Sequence, residues 1–271
     1  MNKIKKERLD NFLVAKGYFE TRSKAQAAIM AGNILVNELK IDKPGTQIKN
    51  DSIIREIGKK LPYVSRGGLK LKKALETFTI EIKDKIFADI GASTGGFTDC
   101  ALQNGAQKVY AIDVGYGQLA WKLRTDDRVV NMERTNARTL DENSLDDKID
   151  IATIDVAFIS LSKILPSVLK ILAPNGCVIA LIKPQFEAGK ENVGKKGVVR
   201  DPKIHEEVIN NVIEMALELG FFVSGLEYSP VKGPEGNIEY LVYLSRIEKE
   251  KFDHNLIKEL VNNSHLNLDR K

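Results

Sequence analysis

Residues 89–100 read DIGASTGGFTDC, and four charged side chains, Lys70, Asp155, Lys183 and Glu239, stand on or beside stretches that are otherwise apolar. Gly91, Gly95 and Gly96 let a backbone turn tightly and come close to a bound molecule, as a βα turn at the carboxyl end of a strand does when it holds a nucleotide. A dinucleotide fingerprint would read G-x-G-x-x-G and set a pyrophosphate on a helix N-terminus. Here the run is G-A-S-T-G-G, with Asp89 directly before it. A carboxylate in that place repels a pyrophosphate and suits a phosphate-free cofactor with a cationic amino-acid end. Asp113 comes 24 residues after Asp89, close to the offset of about 20 at which a carboxylate grips ribose hydroxyls. Two acids bracketing a cationic nucleoside point to S-adenosyl-L-methionine. Ser93 and Phe97 are expected to add contacts within the loop, and Asn136, in RTNARTL, falls where an adenine edge would be met.

The other charges bear on the methyl acceptor. Exocyclic base amines are usually methylated beside an N/D-P-P-Y/F loop after the fourth strand, and here Asp155-Val156-Ala157-Phe158 lacks the proline pair. A pyrimidine ring carbon requires a cysteine nucleophile at a strand end, whereas Cys177 falls inside an expected strand and Cys100 inside a helix. The remaining set suits an alcohol. A ribose hydroxyl is a poor nucleophile, so a site must favour loss of its proton. Lys183, with its pKa lowered by burial, would accept that proton, or as a cation would stabilise the developing alkoxide. Asp155 and Glu239 then set its orientation and charge, and Lys70 helps hold the ribose. Asp155 and Lys183 each end a long apolar strand, where a charge is costly without a purpose. Lys70 shares its helix with Lys72 and Lys73, which also fits a basic stripe facing RNA, and Glu239 also fits a plain hairpin charge.

The elements that must position these groups are legible from hydrophobic pattern. From about residue 85, the runs IFADI, KVYAIDV, RVVNM, IDIATID and GCVIALIKP are apolar throughout, as buried parallel strands are. Helical stretches lie between them, including LSKILPSVLKIL and, behind an Asp201-Pro202 cap, IHEEVINNVIEMALELG. FFVSGLEYS and IEYLVYLSR read as a closing hairpin. The expected fold is α/β: a Rossmann-like, doubly wound, mostly parallel sheet with an antiparallel last strand. The tail from Glu248 is charged and weakly helical.

A second, small α+β domain precedes it. Leu9, Phe12, Leu13 and Phe19 have helical spacing with Gly17 as a C-cap, and Thr21 caps a second helix whose Ala25, Ala28 and Ile29 face inward. NILVNELK and QIKNDSIIREI read as strands of one small sheet. The reading divides the chain into residues 1–60, a linker at 61–69 within GKKLPYVSRGGL, and residues 70–271. Residues 1–73 hold 17 Lys and Arg against 7 Asp and Glu, a net +10 that leaves −6 for the rest of a chain of +4. Such asymmetry is the footprint of a polyanion binder, although a solvated lysine-rich surface gives the same count. Two distant cysteines without CxxC spacing and three histidines argue against a disulfide framework or a zinc site, and no metal is expected. No apolar run spans a bilayer and MNKIKKERLD is no signal peptide, so a cytoplasmic location without membrane contact is expected. Nothing indicates an oligomer.

Arg8-Leu9-Asp10, Ser23-Lys24 and Gly32-x-Ile34-x-Val36-Asn37 resemble the S-four RNA-binding domain over residues 6–60. That resemblance implies phosphate contacts for Arg8, Arg22 and Lys24, each of which taken singly also reads as a solvated charge. Together with DIGASTGGFTD, DVAFISL and LIKPQFE, it makes nearly the whole chain resemble the TlyA family, which joins this domain to an FtsJ/RrmJ-type methyltransferase fold. The resemblance implies S-adenosylmethionine-dependent 2′-O-methylation of cytidine in ribosomal RNA, with rRNA or ribosomal subunits as partners. It also implies a Lys-Asp-Lys-Glu tetrad made of Lys70, Asp155, Lys183 and Glu239. Arg66 beside the linker, and Lys195 and Lys196 in the loop GKENVGKKGVVRD, are expected RNA contacts; for the loop, an ordinary mobile connection is the alternative. Two rival readings are a membrane-active haemolysin, since some members carry that label, and an RNA-binding module with an inactive methyltransferase fold.

Overall fold

The computed structural model describes residues 6–57, 61–248 and 252–269. Gly58–Lys60, part of the stretch read as linker, and residues 249–251 of the tail lie outside the described residues. The chain forms two compact units, Met1–Lys60 and Leu61–Lys271.

In the first unit, β1 (Lys6–Arg8) leads into α1 (Leu9–Ala15) and α2 (Arg22–Met30). Lys6, Glu7 and Arg8, which precede the helical spacing of Leu9, Phe12 and Leu13, pair antiparallel with β4 (Gln47–Lys49) through long-range hydrogen bonds. Gly17 ends the first helix at φ +75°, and the Thr21 hydroxyl accepts the Lys24 N–H at 3.3 Å. Leu9, Phe12 and Leu13 pack with Ala25, Ile29, Ile34, Val36 and Ile48 as a small core. The expected single sheet is two: β1 with β4, and a separate set of β2 (Ile34–Val36), β3 (Leu39–Lys40) and β5 (Ile54–Glu56).

The second unit is a seven-stranded sheet. Its strands are β6 (Ile86–Ile90), β7 (Lys108–Asp113), β8 (Val129–Glu133), β9 (Ile149–Ile154), β10 (Leu172–Ile182), β11 (Phe222–Tyr228) and β12 (Tyr240–Ser245), in the order β11-β12-β10-β9-β6-β7-β8. Alternate residues of each apolar strand serve opposite faces. Phe87, Val109, Ile179 and Leu241 meet α3 (Gly67–Phe78), α4 (Gly96–Gln103) and α5 (Trp121–Arg124). Ala88, Ile112, Val178 and Val242 meet α6 (Leu165–Ile171), α8 (Pro202–Glu218) and α9 (Asn255–Leu268).

One boundary departs from expectation. Gly67–Leu69 form the first turn of α3 instead of linker, and Val64 N–H donates to Asp99 at 2.8 Å, so residues from 61 onward belong to the second unit. As expected, the last strand is antiparallel and pairs with its predecessor as a hairpin; β12 lies between β10 and β11. The tail, expected to be weakly helical, forms α9, which buries Ile257, Val261 and Ser264. None of the helices among the described residues is long and apolar enough to cross a membrane.

The tail is anchored through a polar chain. His205, fully buried, donates from Nε2 to the Val199 carbonyl at 3.0 Å and accepts at Nδ1 from the Tyr240 hydroxyl at 2.7 Å, and that hydroxyl lies 3.1 Å from Ser264 Oγ on α9. Burial lowers the His205 pKa to about 4. A histidine depressed below its unfolded value gives stability that is present above about pH 6.5 and is lost as pH falls toward 4. Urea unfolding should show this group removing about 2 kcal/mol between pH 7 and pH 5. His205→Gln should flatten that interval; equal slopes in both proteins would refute the assignment.

Candidate active site

The carboxyl ends of the central strands carry the charges. Asp155 directly follows β9, Lys183 follows β10, and Glu239 directly precedes β12. The antiparallel register sets Ile182 opposite Tyr240, which brings Lys183 and Glu239 to the same end of the sheet although they are far apart in sequence. Lys70 comes in from the first turns of α3, buried to 8% exposure. Its ammonium donates to Glu239 Oε2 at 2.6 Å and lies 3.4 Å from Asp155 Oδ2, while Lys183 Nζ is 2.6 Å from Asp155 Oδ1. The four expected residues therefore form one chain of alternating charge.

Burial opposes the charged form of Lys70, but the carboxylates of Asp155 and Glu239 outweigh it and raise its pKa. Burial likewise works against ionised Asp155, and the two ammonium groups outweigh that and lower it. Lys70 is thus a fixed cation. The basic-stripe alternative does not describe it: Lys72 turns to Glu76 and Lys73 to Glu227, while Lys70 points inward. Glu239, 1% exposed, is no surface hairpin charge.

The glycine loop lies beside this chain, between two cavities. One, of about 350 Å³, is lined among others by Arg66, Lys70, Gly96, Phe97, Lys183 and Glu239. The other, of about 530 Å³, is lined by Asp113, Asn136, Phe158 and neighbours. Gly91, Ser93, Asp155 and Ala157 border both. Gly91, at φ +86°, leaves no room for a side chain, because a Cβ there would sit 2.6 Å from the Asp155 carbonyl oxygen. Asp113 accepts from the N–H groups of Ser93 at 2.8 Å and Gly115 at 2.7 Å, which shapes the loop around its own carboxylate. Asn136 accepts the Arg138 N–H and borders the same cavity.

Two loop residues are placed differently from expectation. Gly95 lines neither cavity; its missing Cβ makes room for Leu119 and Leu123, so it is a packing glycine. Asp89 borders the smaller cavity but is 1% exposed, and its Oδ2 accepts both the N–H and the hydroxyl of Thr98 at the start of α4. Burial raises its pKa to about 7. It secures the helix that follows the loop, and of the two expected bracketing acids Asp113 lies on the larger cavity. Phe158 closes the Asp155–Phe158 stretch, where sequence pattern assigns it no role. It is 91% exposed at φ +64°, packs beside Phe186 with ring centroids 5.2 Å apart, and edges the larger cavity. Its only signal was its place three residues after Asp155. The stretch Val231–Pro234 also lines the smaller cavity.

Among the expected RNA contacts, Arg8 and Arg22 converge on one acid. Asp10, fully buried, accepts from Arg8 at 2.9 and 3.1 Å, from Arg22 at 2.9 Å and from Gln26 at 2.8 Å. Arg8 above all holds this carboxyl well below the usual range. About half of each arginine side chain still faces solvent, and Lys24, paired with Glu20, is exposed. Arg66 begins α3 at the rim of the smaller cavity, and Lys195 and Lys196 lie in an exposed turn in the second unit. Among the described residues no group of His, Cys, Asp and Glu is arranged to hold a metal ion.

Comparison with known proteins agrees with both units. Residues 63–246 match the FtsJ-like methyltransferase family and residues 7–54 match the S4 domain. A Bacillus subtilis (strain 168) protein carrying the name rRNA methyltransferase YqxC is 56% identical over 89% of this chain and 86% of its own. The 16S/23S rRNA (cytidine-2′-O)-methyltransferase TlyA of Mycobacterium tuberculosis is 41% identical over 89% of this chain and 90% of its own. A solved, hemolysin-named protein from Streptococcus thermophilus is 48% identical, with a TM-score of 0.79 over 98% of each chain. With a methyltransferase model covering most of its length and an S4 domain ahead of it, this chain belongs to the FtsJ-like methyltransferases, in the branch that includes TlyA.

Proposed function

We propose that this protein methylates the ribose 2′-hydroxyl of cytidine in ribosomal RNA, in the cytoplasm, using S-adenosyl-L-methionine. The observation that carries the reading is the alternating chain Glu239, Lys70, Asp155, Lys183, set where the two cavities meet. Relatives named for this activity support the choice of acceptor. The donor set fits the cofactor: a side-chain-free backbone approach at Gly91, the exposed Ser93, and the Asp113 carboxylate, with no basic phosphate cradle in the loop. When bound, that cofactor supplies an electrophilic methyl group on a sulfonium.

The chain's own residues do the rest. Lys70, held charged by two carboxylates, lowers the energy of an oxygen that gains negative charge. Lys183 has one carboxylate partner, which it shares with Lys70, so it is the less tightly held of the two; after releasing its own proton to solvent it is the amine placed to accept the hydroxyl proton as the methyl transfers. Asp155 and Glu239 keep both amines aimed at one spot. Such orientation is worth effective molarities of about 10⁵–10⁸ M. Phe158 offers a flat exposed face to a nucleobase at the cavity mouth. Arg8, Arg22, Lys24 and Arg66 supply cationic contacts to the RNA backbone, the arginine pair being pre-ordered by Asp10.

Lys183→Ala should cut methyl transfer to rRNA by at least about 100-fold while calorimetric affinity for S-adenosylmethionine changes little. Mass-spectrometric mapping of the product should find the methyl on ribose. A fully active variant, or a methyl found on a base, would overturn the proposal. Removal of residues 1–60 should leave a folded binder of the cofactor, because the second unit has its own core, with weak and salt-sensitive RNA affinity. Undiminished RNA binding by the shortened chain would argue against the division of labour.

A further inference from the structure

Two loops flank the tetrad, and one buried side chain ties them together. In the loop after α7 (Pro184–Glu187), Gly194 N–H donates to the Val198 carbonyl at 3.1 Å and Gly197 N–H to the Gly194 carbonyl at 2.8 Å. These bonds close a tight turn with Lys195 and Lys196 at its tip and Gly197 at φ +71°. Both lysines and Arg200 are exposed, and no ion pair involving them is present among the described residues. The base of the turn is held by Asn237, which is 1% exposed. Its Oδ1 accepts the Val199 N–H at 3.0 Å and its Nδ2 donates to the Gly197 carbonyl at 2.8 Å. His205 donates to the Val199 carbonyl from the other side, at 3.0 Å.

Asn237 also belongs to the second loop, which leads into β12. Its carbonyl accepts the Gly233 N–H at 2.9 Å. The Glu239 carboxylate lies against Gly233, where a Cβ would stand 2.6 Å from Oε1. One amide thus joins the lysine turn to the segment that ends in a tetrad residue. A carboxamide offers a donor and an acceptor on one carbon without charge, and a buried amide satisfied at both ends is costly to replace.

We propose that Asn237 is a positioning residue that mounts the Lys195–Lys196 turn on the entry to β12, so that a phosphate gripped by the turn places the target ribose over the tetrad. The proposal rests on the RNA-binding reading of the two lysines. A turn already ordered loses less conformational entropy when it binds. Without Asn237 the same charges would remain but would be held less firmly.

The test uses the full-length protein and protein-free rRNA, with Kd measured across a series of KCl concentrations and S-adenosylmethionine affinity measured by calorimetry. Asn237→Ala changes no charge, yet it should lower the log Kd against log salt slope by about 1 to 2, the loss of one or two phosphate contacts, with cofactor affinity unchanged. In a Lys195→Ala/Lys196→Ala background it should add little further. If the lysine variant loses slope and Asn237→Ala keeps the wild-type slope, the positioning role is refuted. If the lysine variant itself keeps that slope, the turn does not touch RNA and the proposal falls with that reading. Asn237→Ser, which retains only a hydroxyl for Val199, serves if the alanine variant does not fold, and the same loss of slope is expected.

Discussion

Two ammonium groups and two carboxylates stand largely buried at one end of a sheet, and the rest of the second unit is arranged so that this is tolerable. Each charge in the set has at least one opposite partner, at 2.6 to 3.4 Å. An uncompensated buried charge costs about 3–5 kcal/mol when its partner is removed, so the four stand or fall together. Their neutral sum also explains why a charged cluster can coexist with the apolar layers immediately beneath it.

The insertion of β12 between β10 and β11 is what brings the set together. Six antiparallel pairs, from Cys177 with Ser245 to Ile182 with Tyr240, carry the register to the very end of the strand. A slip of one residue would turn Tyr240 and its neighbours to the wrong face and separate Glu239 from Lys70. The buried His205–Tyr240–Ser264 chain and helix α9 brace the same strand from behind. The C-terminal helix is therefore part of what keeps the site in shape, although it contributes no group to it.

The first unit solves a different problem, that of keeping cationic side chains both ordered and available. Asp10 is buried and would be costly alone. With Arg8, Arg22 and Gln26 around it, the acid fixes two guanidinium groups while leaving their outer faces free. In the second unit an amide, Asn237, does comparable work on backbone atoms instead of on charges.

Much of this was legible in the residues. Apolar runs gave the strands of the large sheet, because strands covered on both faces have no polar alternation to confuse them. The glycine loop, the strand-end charges and the basic first domain announced themselves by residue type and position alone. What the chain order could not disclose was which strand lies beside which, and hence that β12 is internal, that Lys70 points inward while Lys72 and Lys73 do not, that Asp89 binds the start of the helix after the loop, and that Gly95 leaves room for Leu119 and Leu123. The exposed ring of Phe158, the clasp at Asn237 and the packing of the tail were hidden for the same reason. Sequence pattern reports a residue's own preference and its local period, whereas burial, pairing and the sign of a pKa shift depend on neighbours that only long-range packing supplies.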